Sequence, residues 1–468
     1  MNIVYMFADQ LRLASCGYAG SKTAKTPRID ALAADSCDFR NAVSGHPVCA
    51  PYRASLLTGK YTTSTGMVIN EIRISPRHDT LAKALTRAGY ESSYIGKWHL
   101  YANELGNHYD PKNSFIPKGE DRLGFDGYFA AYNFHHDNYG EHSYYHLDTP
   151  EKLSYGEGAY EPDVQTDMAI AELERLAAGE KPFALFLSLG TPHDPWDRSN
   201  VPAQWLKLFE DTEYALPENY LPENDPHADG WARLSEKERG ELTEWMRVYD
   251  AMAANVDHNV GRMLDAIQRL GIEKDTIFVF TSDHGELFGA HGRRAKNIFY
   301  EEAVRVPFLM RCPGTIPTGF CGVCLNTVDI MPTLCSLCSV PIPDEVEGRD
   351  LSPVILRDPN AEEPEGALMM GTGATADWSE GHEWRAFRTK RYTYAVYRAD
   401  GEEHLYDNLA DPLQMKNLAF DPAYADVLSA LKESMAREME RVGDRFHPVT
   451  YYRENWVVDR IIRKIKAD

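Results

Sequence analysis

Four short segments of this 468-residue chain end strand-like apolar runs in polar, reactive side chains. Asp9-Gln10 follows residues 3–7, and Gly96-Lys97-Trp98-His99 follows residues 92–95. Thr191-Pro192-His193 follows residues 183–189, and Ser282-Asp283-His284-Gly285 follows residues 276–280. Ligands of open α/β sheets bind beyond the carboxyl ends of the strands. Laid side by side, these strands bring two carboxylates, an amide, a lysine and three histidines to one rim, the outline of a metal-assisted hydrolytic site. A fifth segment is Cys49-Ala50-Pro51-Tyr52-Arg53. Pro51 suits the first turn of a helix, so Cys49 falls at the positive helix end, where backbone N–H groups favour an anion. Arg53 follows one turn later, close enough to orient a group built on Cys49.

These residues need a scaffold, and the first three quarters of the chain supplies the pattern of one. Apolar runs at 3–7, 92–95, 183–189, 276–280 and 307–310 alternate with amphipathic stretches, as in a mostly parallel sheet flanked by helices. Thr26-Pro27 starts a helix over 29–36, and a helix over 81–88 stops at Gly89. Helical spacing also marks 163–178, 248–270 and 332–339. Composition changes after about residue 355, where 357–366 is rich in Pro, Glu and Asp. Residues 1–360 read as a catalytic α/β domain. Residues 361–468 read as a smaller α+β subdomain, with a hairpin of 384–397 and 402–406 turning at Ala399-Asp400-Gly401 and a long helix over 423–442.

Lys plus Arg number 49 against 71 Asp plus Glu, a formal net charge of −22. Nucleic acid and anionic membranes recruit positive charge, so neither is an expected partner. No apolar run approaches the ~18 residues that span a bilayer. The N-terminus enters a strand directly, so the expected location is cytoplasmic, or periplasmic or secreted where an export signal has been removed. The 8 cysteines are too few for a disulfide framework and read as reduced thiols. Cys321-x-x-Cys324 and Cys335-x-x-Cys338 are not read as zinc ligands, because the second pair falls on a helix at packing spacing and the first flanks a strand-like run. A Tyr- and Asn-rich segment, 128–146, holds His135, His136, His142 and His146. Its His135 and His136, with Asp194, Trp196 and Arg198, are the expected walls of a substrate pocket.

Cys49-Ala50-Pro51-Tyr52-Arg53 matches the signature C-x-P-x-R, followed by Leu57-Thr58-Gly59-Lys60. With Gly96-Lys97-Trp98-His99, Pro192-His193, Ser282-Asp283-His284-Gly285 and Lys296-Asn297-Ile298-Phe299-Tyr300-Glu301-Glu302 in the same order, the chain resembles a formylglycine-dependent (type I) sulfatase of the alkaline phosphatase superfamily. It is similar to bacterial glycan sulfatases. Leu405-Tyr406-Asp407, Asp411-Pro412 and Asn417-Leu418 carry the resemblance into the C-terminal subdomain. The resemblance implies an alkaline phosphatase-like fold and oxidation of Cys49 to formylglycine by a separate maturation enzyme. It also implies a divalent cation, Ca²⁺ with Mg²⁺ as second choice, held by Asp9, Gln10, Asp283, His284 and the modified Cys49. Many relatives carry a second aspartate at Gln10 and an asparagine at His284, so this chain gives up one negative charge and one oxygen donor. Lys97 and Lys296 are then point charges for sulfate oxygens, Arg53 orients the nucleophile, His99 is the base, and His193 protonates the leaving alcohol with Lys296 able to share that task.

The expected reaction is hydrolysis of a sulfate ester on a carbohydrate. The acidic surface favours a short or monosulfated saccharide over a densely sulfated polymer. Two other readings compete: a phosphonate or phosphate ester hydrolase on the same scaffold, against which Lys97 and His99 speak, and a glycan-binding protein without activity.

Overall fold

The structure is a computed structural model and describes residues 1–140 and 142–466. Among the described residues, eight strands form the central sheet: β1 (Asn2–Ala8), β2 (Cys37–Phe39), β3 (Glu91–Lys97), β4 (Phe129–Tyr132), β5 (Phe183–Ser188), β6 (Thr276–Ser282), β7 (Phe308–Arg311) and β8 (Gly319–Cys321). Their order is β8-β2-β7-β6-β1-β5-β3-β4. All neighbours are parallel except β7, which runs antiparallel to both β2 and β6.

Side chains of a strand alternate between faces, and both faces here are covered. Ile3, Tyr5 and Phe7 of β1 join one core with helices α2 (Cys49–Thr58), α3 (Leu81–Arg87) and α6 (Thr327–Leu337). Val4, Met6 and Ala8 join the other, with α1 (Pro27–Ala34), α4 (Glu161–Ala177) and α5 (Glu236–Arg269). Helix α5 begins well before the expected residue 248, because Ser235 and Glu238 close a capping box and the first turns are polar. The register sets the site. Ala8 pairs with Ser282, Phe7 with Ser188 and Gly96 with Ser188, so the segments after β1, β3, β5 and β6 leave the sheet at one level. Gly96 is required there, since its φ is +104° and a Cβ would lie 2.0 Å from the Ser188 carbonyl oxygen.

The second unit is a four-stranded antiparallel sheet, β9 (Ala367–Gly371), β10 (Trp384–Arg388), β11 (Tyr392–Tyr397) and β12 (Glu403–Asp407), in that order. The run 384–397, expected as one arm of a hairpin, is two strands, because the polar Lys390-Arg391 between them turns the chain. Helix α7 (Ala425–Arg441) lays Leu431 and Met435 on this sheet against Leu368, Phe387 and Leu405. No helix among the described residues is long and apolar enough to cross a membrane.

Candidate active site

Cys49 is the first residue of α2, a ten-residue helix buried throughout, whose next backbone N–H, that of Ala50, donates to Asn70 Oδ1 at 2.9 Å. Three strand ends and the loop after β6 converge on its sulfur. Cys49 Sγ lies 3.7 Å from Asp9 Oδ1, 3.2 Å from His284 Nε2, 3.1 Å from Lys296 Nζ and 4.0 Å from Lys97 Nζ. Ligand atoms of Asp9, Cys49, Asp283 and His284 all lie within 4.8 Å of one another. His284 Nε2 is 3.9 Å from Asp9 Oδ1 and 3.5 Å from Asp283 Oδ1. Neighbouring ligands around an octahedral ion are separated by √2 times the bond length, about 3.4 Å for Ca²⁺ and about 2.9 Å for Mg²⁺. The donor set therefore fits a divalent cation.

Arg53 fixes the far side of that pocket. Its Nη2 reaches Asp9 Oδ2 at 3.0 Å and Asp283 Oδ2 at 3.4 Å, and its Nη1 donates to Lys97 O and Ser188 Oγ at 2.6 and 2.7 Å. The guanidinium thus holds the two carboxylates in place. Gln10 has a positive φ of 71°. Its Nε2 donates to Glu286 Oε2 at 2.6 Å, and its Oε1 accepts from Lys296 Nζ at 2.8 Å. Glu286, which also accepts from the backbone N–H groups of Phe288 and Ala295, was not foreseen from the sequence. It orients the Gln10 amide, and that amide steers the lysine.

The charges are arranged to ionise the sulfur. Burial and Asp9 push the Cys49 thiol up, but Lys296 and Lys97 outweigh them and bring it down to about 6. Burial likewise raises Asp9, yet Lys97 at 2.7 Å, His193, Arg53 and Lys296 hold it well below the carboxylate range. Burial, with Asp9 alongside, raises Asp283 to about 6. His99 is held well below its ordinary value by burial, then Lys97 and Arg53, and neither ring nitrogen has a hydrogen-bond partner. The ring stacks on Phe134 with centroids 4.4 Å apart, so a neutral imidazole faces the site with a free acceptor. His193 is lowered by burial and Lys296; its Nδ1 contacts Asp194 O at 2.9 Å and its Nε2 accepts from Lys296 Nζ at 2.9 Å.

A cleft of about 490 Å³ opens from Cys49, lined by His99, His136, His193, Asp194 and Lys296 among others. Three of the expected pocket residues point elsewhere, which corrects that expectation. His135 is buried against Tyr132 and Tyr144. Trp196 is 6% exposed, packs on Trp245 and Phe288, and donates from Nε1 to Pro192 O. Arg198 is on the surface, paired with Glu244 at 2.6 Å. The remaining walls come from Asn70, Glu71, Trp231, Arg294 and Thr375. Trp231 and Arg294 carry no local signal, and Thr375 arrives from the second unit.

The family described as Sulfatase matches residues 1–340, and that described as N-sulphoglucosamine sulphohydrolase, C-terminal, matches residues 289–441. An ulvan-active sulfatase of Formosa agariphila is 36% identical over 455 residues, 96% of this chain and 83% of that protein. An endo-4-O-sulfatase of Bacteroides thetaiotaomicron is 28% identical, over 98% of this chain and 95% of that one. A solved structure from work on glycosaminoglycan metabolism by the same bacterium superposes with a TM-score of 0.81 at 26% identity, covering 99% of both chains.

Proposed function

This chain belongs to the sulfatase family, and on that premise we propose that it hydrolyses a sulfate ester on a short or monosulfated saccharide. Sulfatases generally use a formylglycine and a divalent cation, and Cys49 stands where both meet. The single observation that carries the reading is the sulfur of Cys49, 3.1 Å from Lys296 Nζ and 3.2 Å from His284 Nε2 at the floor of the cleft.

Formylglycine at residue 49 would supply a hydrated aldehyde as the nucleophile, one able to shed sulfate where a plain serine would stay sulfated. A hard cation supplies polarisation of the sulfate oxygens and acidification of the attacking hydroxyl. Asp9, Asp283, His284 and residue 49 would hold that cation, with Gln10 beside them, and the ligand spacings support Ca²⁺ over Mg²⁺.

The chain's own residues do the rest. Lys97 and Lys296 place two positive charges on the sulfate side of residue 49, where charge develops during transfer. His99, neutral and free at both nitrogens, takes the proton that must leave the nucleophile before sulfate is expelled. His193 and Lys296 form one proton-bearing pair facing the leaving oxygen. An alcohol leaving group needs that proton, and this favours a saccharide over a ready-made anion. Asp194 and Glu71 set two carboxylates in the cleft against Arg294. That balance accepts sugar hydroxyls and repels a neighbouring sulfate, which supports a sparsely sulfated substrate. A maturation enzyme acting on Cys49 is the implied partner.

The test is a panel of defined sulfated mono- and disaccharides, an aryl sulfate and an aryl phosphonate, assayed with protein co-produced with a formylglycine-generating enzyme. Turnover of a saccharide monosulfate above the aryl phosphonate supports the reading. Preference for the phosphonate overturns it in favour of a phosphonate hydrolase. Binding of sulfated glycan with no turnover by fully converted protein leaves only the binding reading.

A further inference from the structure

Far from Cys49 in sequence, the hairpin between β11 and β12 meets the loop 225–231, and the meeting point is rich in metal-type ligands. His227 Nε2 lies 3.2 Å from Glu402 Oε2 and 3.5 Å from Asp400 Oδ2. The other oxygen of Glu402, Oε1, is 3.4 Å from His404 Nε2. That nitrogen is buried without a hydrogen-bond partner, on a side chain only 10% exposed. Atoms of His227, Asp400 and Glu402 all lie within 4.8 Å of one another.

Four-coordinate Zn²⁺ binds nitrogen and carboxylate oxygen at about 2.0–2.2 Å, so its ligand atoms stand about 3.3 Å apart along each tetrahedral edge. The separations of His227 Nε2 from Glu402 Oε2 and Asp400 Oδ2, 3.2 and 3.5 Å, are such edges, whereas His404 stands outside that group and faces the other oxygen of Glu402 at 3.4 Å. The side chains are also held ready. His227 stacks on Tyr397 with centroids 3.8 Å apart, its backbone N–H donates to Asp225 Oδ1 at 2.7 Å, and its carbonyl accepts from His382 Nδ1 at 2.8 Å. Tyr406 OH lies 3.2 Å from His404 Nδ1, leaving Nε2 directed at Glu402.

We propose that His227, Asp400 and Glu402, with water completing the shell and His404 positioning Glu402 from its other oxygen, bind one Zn²⁺-class ion that staples the loop 225–231 to the C-terminal hairpin. One imidazole with two carboxylates suits a borderline transition metal, whereas Ca²⁺ calls for six or more oxygens. The site shares no residue with the cluster around Cys49, and the proposal does not depend on the reaction catalysed there. It bears on the cleft all the same. The stapled loop carries Trp231 into the cleft wall, and Asp229, two residues before it, accepts from Thr375 N and Oγ1 at 2.6 and 2.7 Å.

The experiment uses full-length protein stripped with a chelator, saturated with Ca²⁺, and then given Zn²⁺ or, for spectroscopy, Co²⁺. The expected result is one Zn²⁺ per chain by elemental analysis after gel filtration, a raised Tm, and the strong visible absorption of four-coordinate Co²⁺. In His227→Ala and Glu402→Gln, Zn²⁺ affinity falls at least tenfold and the Co²⁺ absorption disappears. Asp400→Asn, on an exposed turn, serves if either of those variants fails to fold. Equal Zn²⁺ uptake by the wild type and the variants, the weak absorption of six-coordinate Co²⁺, or no uptake at all overturns the proposal.

Discussion

Lys296 Nζ donates to His193 Nε2 across 2.9 Å, and the same ammonium is 3.1 Å from the Cys49 sulfur. Burial lowers both groups, but Cys49, Asp9, Asp283 and Asp194 raise Lys296 above its ordinary value, whereas His193 is depressed. The resting proton therefore sits on the lysine, and His193 is the imidazole in position to take it. His193→Ala should lower kcat/KM on a sugar sulfate by about 10²–10⁴-fold, because the alkoxide must be protonated as it departs. On an aryl sulfate with an acidic phenol the loss should be less than about tenfold, since that leaving group departs unprotonated. Equal losses on both substrates would remove His193 from the acid role.

Protein made without maturation keeps the Cys49 thiol, which Lys296 and Lys97 bring down to about 6 against the upward push of burial and Asp9. Its alkylation by iodoacetamide should rise with pH to a midpoint near 6 and level off by pH 7.5. Cys16, which burial holds far above the ordinary thiol range, should stay unlabelled throughout. Peptide mass spectrometry across pH 5–8 measures both. A Cys49 midpoint near the free-thiol value of about 8.5 contradicts the electrostatics described.

The five reactive segments were legible because each is a local pattern: an apolar strand followed by a polar turn, or a proline at a helix start. The rule that ligands gather at strand ends then placed Asp9, Lys97, His193 and Asp283 together before any coordinates. The pocket walls were not legible. Trp196 is expected in the pocket wall, but its position against Trp245 of α5 and Phe288, both remote in sequence, buries it instead. Thr375 and Trp231 reach the cleft through packing between the two units, which leaves no trace in spacing. Glu286 was missed because a carboxylate following a glycine turn reads as solvated, whereas here it is fully buried and bonded to Gln10. Helix α5 was cut short because its first turns lack an apolar stripe, although its capping box was written at Ser235 and Glu238.

Glu161 offers a test of buried charge away from the cation cluster. Burial raises its carboxyl to about 8, only partly offset by the Tyr132 hydroxyl that donates at 2.7 Å. Its Oε2 has no hydrogen-bond partner, with His135 Nε2 3.4 Å away. A carboxyl whose folded value is raised favours the folded state at low pH, and that contribution is lost as pH climbs from about 4.5 to about 8. At about 1.4 kcal/mol per unit, the loss across this window is roughly 3–5 kcal/mol. Glu161→Gln keeps the acceptor for Tyr132 and removes the ionisation. Thermal melts from pH 5 to 8.5 should show the wild type losing Tm relative to the variant as pH rises. Parallel curves would mean that Glu161 is ionised in the fold at little cost.

Every residue of α2 is buried, and Cys49 itself is 1% exposed. An enzyme acting on Cys49 would need access to the residues around it, and here they are wound into a buried helix against the central sheet. Ala50 is tied to Asn70, and Arg53 to two carboxylates, Lys97 and Ser188. Any enzymatic conversion of Cys49 is therefore expected to precede folding. Purified, folded Cys49 protein incubated with a formylglycine-generating enzyme should show no loss of thiol mass, whereas a synthetic peptide spanning residues 45–60 should be converted. Urea at the midpoint of unfolding should restore conversion of the full chain in proportion to the unfolded fraction, provided the enzyme is stable there. Rapid conversion of the folded protein would require α2 to open locally at far lower cost than its burial and bonding indicate.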